Sequence, residues 1–195
     1  MDIGIALFEN VEELDFVGPW EVLSYWARVW PDDQVSVFTV ASDLTAVQCA
    51  KGLRVLPDRT WEQTPVLDVL VYPGGRGTRA HLDPENPIHA RLRRLSAAGT
   101  LMTSVCTGSL VFAAAGLLRD RPATTYWDSL ESLAELDPTI ELRPQDRFVD
   151  SGEVITAAGV SAGIDMALHL VARLHSVERA REVRRGIQYD PEPPV

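Results

Sequence analysis

Short apolar runs alternate with longer segments of helical periodicity along most of this 195-residue chain, and that alternation most narrows the folds open to it. Residues 2–8, 34–41, 67–72 and 100–105 read as strands. The last two are almost unbroken in apolar character, as expected of strands covered on both faces. Helices are expected over 19–30, 87–98, 107–118, 161–174 and 177–188, with Pro19 in the first turn of its helix, where a missing N–H costs nothing. This pattern predicts an α/β sandwich, a largely parallel central sheet flanked by helices. Between residues 141 and 157, short β-type runs break at Ser151-Gly152, a hairpin signal. No repeat or linker composition intervenes, so residues 1–190 are expected to form a single domain. Residues 191–195 are expected to be a proline-rich tail that cannot continue a helix.

The formal net charge of −10 argues against nucleic-acid and anionic-membrane partners, which require a basic face. Arg179, Arg181, Arg184 and Arg185 read as a solvated helix face paired with Glu178 and Glu182. The N-terminus lacks the basic flank and cleavage site of a signal peptide, and no apolar run approaches the ~20 residues that span a bilayer. Two cysteines, Cys49 and Cys106, are too few for a secreted disulfide framework. A reduced, cytoplasmic protein is expected.

Cys106 stands where the strand ending at Val105 meets a helix rich in small and apolar residues. A nucleophile on so sharp a turn needs small neighbours two residues before and after it, and Ser104 and Gly108 supply them. Unpaired N–H groups at the helix start would stabilise a thiolate and lower its pKa. The competing reading is a buried core cysteine. Cys49 lacks such a context and reads as structural or incidental. None of the four histidines has the surroundings of a catalytic base, so no Cys-His dyad is evident and a protease or amidase is disfavoured.

Asp15 lies in apolar company just before the expected helix. It is either a buried acid with a raised pKa, able to donate a proton, or a turn aspartate. Glu12 and Glu13 read as solvated loop charges. Pro73-Gly74-Gly75-Arg76-Gly77 follows a strand, and the Gly75 and Arg76 N–H groups there are candidates for steadying negative charge. Gly75-x-Gly77-x-x-Ala80 also matches a dinucleotide fingerprint, but Asp83-Pro84 interrupts the helix it should open. No cysteine or histidine cluster points to a metal.

Taken together, these segments resemble the ThiJ/PfpI superfamily, and within it the isonitrile hydratase branch, over nearly the whole chain. The resemblance rests on Leu14-Asp15-Phe16-x-Gly18-Pro19, Pro73-Gly74-Gly75-x-Gly77, Thr103-Ser104-Val105-Cys106-Thr107-Gly108, Ala114-Ala115-Gly116-Leu117-Leu118, Ala123-Thr124-Thr125-x-Trp127 and Ala162-Gly163-Ile164-Asp165. It implies a flavodoxin-like, class I glutamine amidotransferase-like fold with a nucleophile elbow. It also implies Cys106 as nucleophile, Asp15 as the acid contacting its sulfur, and Thr107 in place of the histidine that other branches carry. The implied activity is cofactor-free hydration of an isonitrile, and the implied assembly a homodimer. Tyr126 stands where this branch commonly has histidine, and its hydroxyl is a candidate substrate contact. A glyoxalase-like enzyme and a redox or metabolite sensor remain open beside the hydratase. The chain ends soon after Pro191 without the DNA-binding extension of related regulators, which argues against a transcription factor.

Overall fold

The computed structural model describes residues 1–64 and 66–191. From the N-terminus, β1 (Asp2–Ala6) leads into α1 (Glu13–Val29), and β2 (Ser36–Ala41) returns to the sheet. A small antiparallel ribbon of β3 (Val47–Gln48) and β4 (Arg54–Val55) follows, then β5 (Arg59–Thr60) and β6 (Val69–Tyr72). After a 3-10 segment, Arg76–Leu82, come α2 (Pro87–Ala97), β7 (Leu101–Val105) and α3 (Gly108–Ala114). The chain continues through β8 (Pro122–Ala123), α4 (Leu130–Leu136), β9 (Glu141–Leu142) and the hairpin of β10 (Phe148–Asp150) and β11 (Val154–Ala157). It closes with α5 (Ala162–Leu174) and α6 (Val177–Gly186).

Seven strands form one sheet in the order β10-β11-β7-β6-β1-β2-β5, parallel except at the β10–β11 hairpin. Gly152, at φ 91°, makes the hairpin turn foreseen at Ser151-Gly152. Successive residues of β6 serve opposite faces, as the two-residue period of a strand requires. Val69 and Val71 pack with Phe16 and Trp26 of α1, Met166 and Leu170 of α5 and Val183 of α6. Leu70 and Tyr72 pack with Leu92 of α2, Val111 and Phe112 of α3 and Leu133 of α4. Burial on both sides is why β6 and β7 carry no charged residue, the buried Thr103 hydroxyl of β7 donating to Leu70 O at 2.9 Å, and the expected α/β sandwich is the fold observed.

Helix α1 begins at Glu13, six residues before the expected start, so Pro19 lies inside it and Asp15 belongs to its first turn. Tertiary packing accounts for the tolerated proline. A Cβ on Gly163 would lie 3.3 Å from Pro19 Cδ, and one on Gly18 would lie 3.0 Å from Ile164 Cγ1, so α1 and α5 cross closely at Gly18-Pro19. Helix α3 is shorter than expected, ending near Gly116 at φ 76°, a left-handed residue that stops helices. Of the proline-rich tail, residues 192–195 lie outside the described residues.

The strand order β2-β1-β6-β7-β11 reverses direction at β1, from which the chain goes first to one side and later to the other. Such a switch point opens a crevice beyond the carboxyl ends of the strands, where α/β folds bind ligands. The first turn of α1 and the turns after β6 and β7 meet at that edge and carry Asp15, Gly74-Gly75 and Cys106.

Candidate active site

Cys106 follows the last residue of β7 and has φ 56°, the left-handed region, at a cost of about 1–2 kcal/mol for a residue with a Cβ. The surroundings hold it there. Its N–H is shared between Ala157 O at 3.1 Å and Ala158 O at 3.0 Å. Its carbonyl accepts from Thr125 Oγ1 at 2.9 Å and Ser109 Oγ at 3.0 Å. The small residue expected at position 108 is required by space, because a Cβ there would lie 2.3 Å from Tyr72 O. The expected elbow is therefore present.

Asp15 is fully buried. Its Oδ2 accepts the Gly74 N–H at 2.8 Å, while Oδ1 has no hydrogen bond of standard geometry. The Cys106 thiol stands against this carboxyl and favours its ionised form. A Cβ on Gly74 would lie 2.6 Å from both Thr107 N and Thr107 Oγ1 and 2.9 Å from Asp15 Oδ2, so only glycine lets the three groups converge. Thr107 Oγ1 accepts the Gly75 N–H at 3.0 Å and lies 3.2 Å from Thr78 Oγ1. Its own proton reaches Gly75 O only at 3.4 Å, a long bond that leaves the hydroxyl available to a ligand. The Gly75 N–H, expected to face a ligand, is instead donated to Thr107. Arg76 opens the 3-10 segment, where an N–H has no intrahelical acceptor, and it lines the cleft.

Burial dominates the electrostatics. It lifts Asp15 from its ordinary 3.8 to about 7, against the opposing pull of the Gly74 N–H. Burial also pushes the Cys106 thiol up to about 12, and the Asp15 charge adds to the rise. The N–H groups of Thr107 and Val160 oppose this rise and do not overcome it. This reverses the lowered thiol pKa expected from the helix start. The seven-residue α3 offers a weak dipole, and desolvation of the sulfur outweighs it. Near neutral pH the pair holds one proton on sulfur and begins to lose the other from the carboxyl.

Cys106 is buried but borders open space. Cys106 and Thr107 line a cleft of about 580 Å³ whose other walls include Glu12, Lys51, Arg76, Arg79, Tyr126 and Val160. Tyr126 is seated against Gly159, where a Cβ would come within 2.4 Å of its ring. Glu12 and Glu13 are not free solvated charges: their side chains are each 17% exposed and both pair with Lys51. Val160 escaped the sequence reading. It sits at φ 49°, strained for a β-branched residue, and turns its N–H toward the Cys106 sulfur. Its side-chain type opposes that conformation, so no sequence signal marks it. Cys49 is buried in the core. His81 and His89 are engaged structurally, His81 Nδ1 with Tyr72 Oη at 2.7 Å and His89 Nε2 with His81 O at 2.6 Å. His169 lies 2.7 Å from Asp150 Oδ2 and His175 lies 3.3 Å from Asp33 Oδ1. Among the described residues no group of three or more His, Cys, Asp or Glu side chains is arranged to hold a metal ion.

Comparison with known proteins places this geometry in context. The chain is 40% identical over all 195 residues to isonitrile hydratase from Pseudomonas putida, covering 81% of that protein. It is 38% identical over 182 residues to the HTH-type transcriptional regulator CdhR of Pseudomonas aeruginosa, matching 93% of this chain but only 53% of the regulator. A THiJ/PfpI family protein from Pseudomonas syringae superposes with a TM-score of 0.87 at 31% identity, covering 100% of this chain and 77% of that one. The profile of the DJ-1/PfpI family matches residues 1–173, and the chain belongs to that family.

Proposed function

We propose that this protein hydrates isonitriles, R–N≡C, to N-substituted formamides through a covalent thioimidate on Cys106. The observation that carries the reading is that Cys106 and Thr107 line one cleft while the buried Asp15 carboxyl, poised near neutrality, lies behind them against the thiol. Full-length similarity to an isonitrile hydratase supports it. Ionised Asp15 accepts the thiol proton as sulfur bonds to the terminal carbon, then returns that proton to the same carbon, giving R–N=CH–S–Cys106. Water adds to the thioimidate carbon while Asp15 takes its proton. Asp15 passes that proton to nitrogen and takes the proton of the new hydroxyl, which becomes the formyl C=O as the C–S bond breaks; the sulfur recovers this second proton from Asp15 and R–NH–CHO leaves. The Thr107 hydroxyl, the Arg76 N–H and the Tyr126 hydroxyl orient the substrate, and no cofactor takes part.

The same reading assigns a small-molecule substrate and a cytoplasmic homodimer with no nucleic-acid partner. Two unpaired cysteines fit a reducing compartment. Leu14 and Val17 on α1, each more than a third exposed beside Ile164 and Ile187, offer apolar surface for a second copy. No helix among the described residues is long and apolar enough to cross a membrane. The raised thiol pKa counts against the sensor alternative, since peroxide oxidises thiolates. The test is purified protein with an uncharged alkyl isonitrile, with methylglyoxal assayed alongside. Formamide formed by wild type and only at the buffer rate by Cys106→Ala supports the hydratase. Equal rates for the two proteins, or methylglyoxal consumption alone, contradict it.

A further inference from the structure

One wall of the catalytic cleft is the 3-10 segment Arg76–Leu82. In a 3-10 helix, side chains three residues apart eclipse one another. Arg76, Arg79 and Leu82 therefore form a single stripe, and all three line the cleft. His81, on another side of the same segment, lines a separate cavity with Tyr72. The stripe begins one residue after Gly75, whose N–H is bonded to Thr107, so its first arginine stands beside the reacting groups.

The charges along this wall are not cancelled within the protein. The ion pairs found among the described residues engage other basic groups and leave Arg76 and Arg79 without a carboxylate. Lys51, the third cation of the cleft, is held by Glu12 and Glu13. Asp128, near Ser129 and Ser132 in the lining, is the one carboxylate of the described cleft lining outside that group, and it forms no ion pair with either arginine. Two unpaired guanidinium groups thus stand in the substrate cleft of a chain whose net charge is −10. Leu82, Leu110 and Tyr126 supply apolar surface to the same cleft.

We propose that the preferred substrate carries a carboxylate, received by Arg76 and Arg79 and joined to the isonitrile by a short alkyl spacer lying against Leu110 and Leu82. A guanidinium is matched to a carboxylate in shape, charge and donor geometry. The two guanidinium groups, neither neutralised by an ion pair among the described residues, also attract an anionic group to this wall of the cleft. This inference rests on the hydratase reading for its reactive group, while its charge preference is measured separately.

The experiment compares an ω-isocyano carboxylate, its methyl ester and the equivalent ω-isocyano amine. Calorimetric binding of the matching N-formyl amino acid and its methyl ester is measured alongside. At low salt the acid exceeds the ester in kcat/KM by about tenfold, the size of a charge-assisted bond in a partly open site. The preference lies in KM, falls toward unity at 0.5 M salt as charge is screened, and collapses in the Arg79→Gln and Arg76→Gln/Arg79→Gln proteins. The N-formyl acid binds more tightly than its ester by a similar factor. An acid-to-ester ratio at or below one, a preference for the amine, or a ratio indifferent to both substitutions overturns the proposal. If no isonitrile is turned over but the formyl acid still outbinds its ester through these arginines, the hydratase reading fails and the carboxylate site stands.

Discussion

The Asp15 carboxyl and the Cys106 thiol, brought together from the first turn of α1 and the elbow after β7, each set the other's proton affinity. Ionised Asp15 pushes the thiol up, while the thiol pulls the carboxyl down toward ionisation. Burial of both groups moves the two protonation steps up together, to about 7 and about 12, so across that interval the pair carries a single proton. These steps belong to the pair as a unit. A resting thiol with a carboxylate beside it can deliver sulfur and proton to the same carbon without a pre-formed thiolate.

The pH dependence of turnover follows directly. kcat/KM for an isonitrile rises tenfold per unit below an inflection near 7, as Asp15 ionises, and stays level into the alkaline range. In Asp15→Asn that inflection disappears and the plateau rate falls by about 10²–10⁴-fold. Iodoacetamide labelling of Cys106 in wild type is slow at pH 7 and still rising at pH 10, as a thiol held up at about 12 requires. Initial-rate profiles and quenched labelling followed by peptide mass analysis check both.

Stability carries the same signature with a definite sign. The folded Asp15 pKa, about 7, lies above its ordinary 3.8, so between those values the folded protein retains a proton that the unfolded chain has released. Asp15 therefore lowers stability progressively as pH rises from about 4 to about 7, and the loss is complete above that range. Its size is on the order of 4 kcal/mol. The stability of Asp15→Asn relative to wild type should shift in the mutant's favour by that order between pH 4 and pH 8, whatever fixed cost the amide carries. Urea unfolding at the two pH values measures it, and parallel curves would remove the buried-acid account.

Strain at the elbow can be separated from loss of the sulfur. Cys106→Ala and Cys106→Gly both lack the thiol, but only alanine keeps a Cβ at φ 56°. The glycine variant should unfold at higher denaturant, by about 1 kcal/mol, even though glycine usually weakens a fold through the unfolded state. Equal stabilities would show that the left-handed conformation costs nothing here.

Gly74 tests how closely the site must be assembled. A methyl group there displaces Thr107 or Asp15, since both lie within 2.9 Å of its position. Gly74→Ala should lose about 10²-fold in kcat/KM while its circular dichroism stays that of the wild type. Near-normal turnover would mean that the Gly74–Asp15–Thr107 convergence is not required for reaction.

The sheet, the helices flanking it and the cysteine elbow were legible because each rests on local pattern. Strands buried on both faces leave continuous apolar runs, and a nucleophile turn needs small residues at fixed offsets, met by Ser104 and Gly108. The start of α1 was not legible, because Pro19 reads as a helix beginning until Gly163 and Ile164 of α5 are seen packed against it. The two-residue strands at Val47–Gln48, Arg54–Val55, Arg59–Thr60, Pro122–Ala123 and Glu141–Leu142 are too short to show a period. At the site, the residue types were visible but their proton affinities were not. The helix-start argument lowered the Cys106 pKa, whereas desolvation by elements remote in sequence raises it. The destination of the Gly75 N–H depends on a hydroxyl carried by a different strand-end, and the role of Val160 depends on a backbone conformation its side chain disfavours.

The most direct measurement is the intact mass of the protein after brief exposure to an alkyl isonitrile, with the modified peptide then sequenced. Asp15→Asn, which forms the thioimidate slowly and resolves it more slowly still, is the variant in which to look. One added isonitrile mass on the peptide containing Cys106, absent from Cys106→Ala and lost with release of formamide, is the predicted result. Formamide produced with no adduct on Cys106 at any time, or the adduct on Cys49 instead, would contradict covalent catalysis at the elbow.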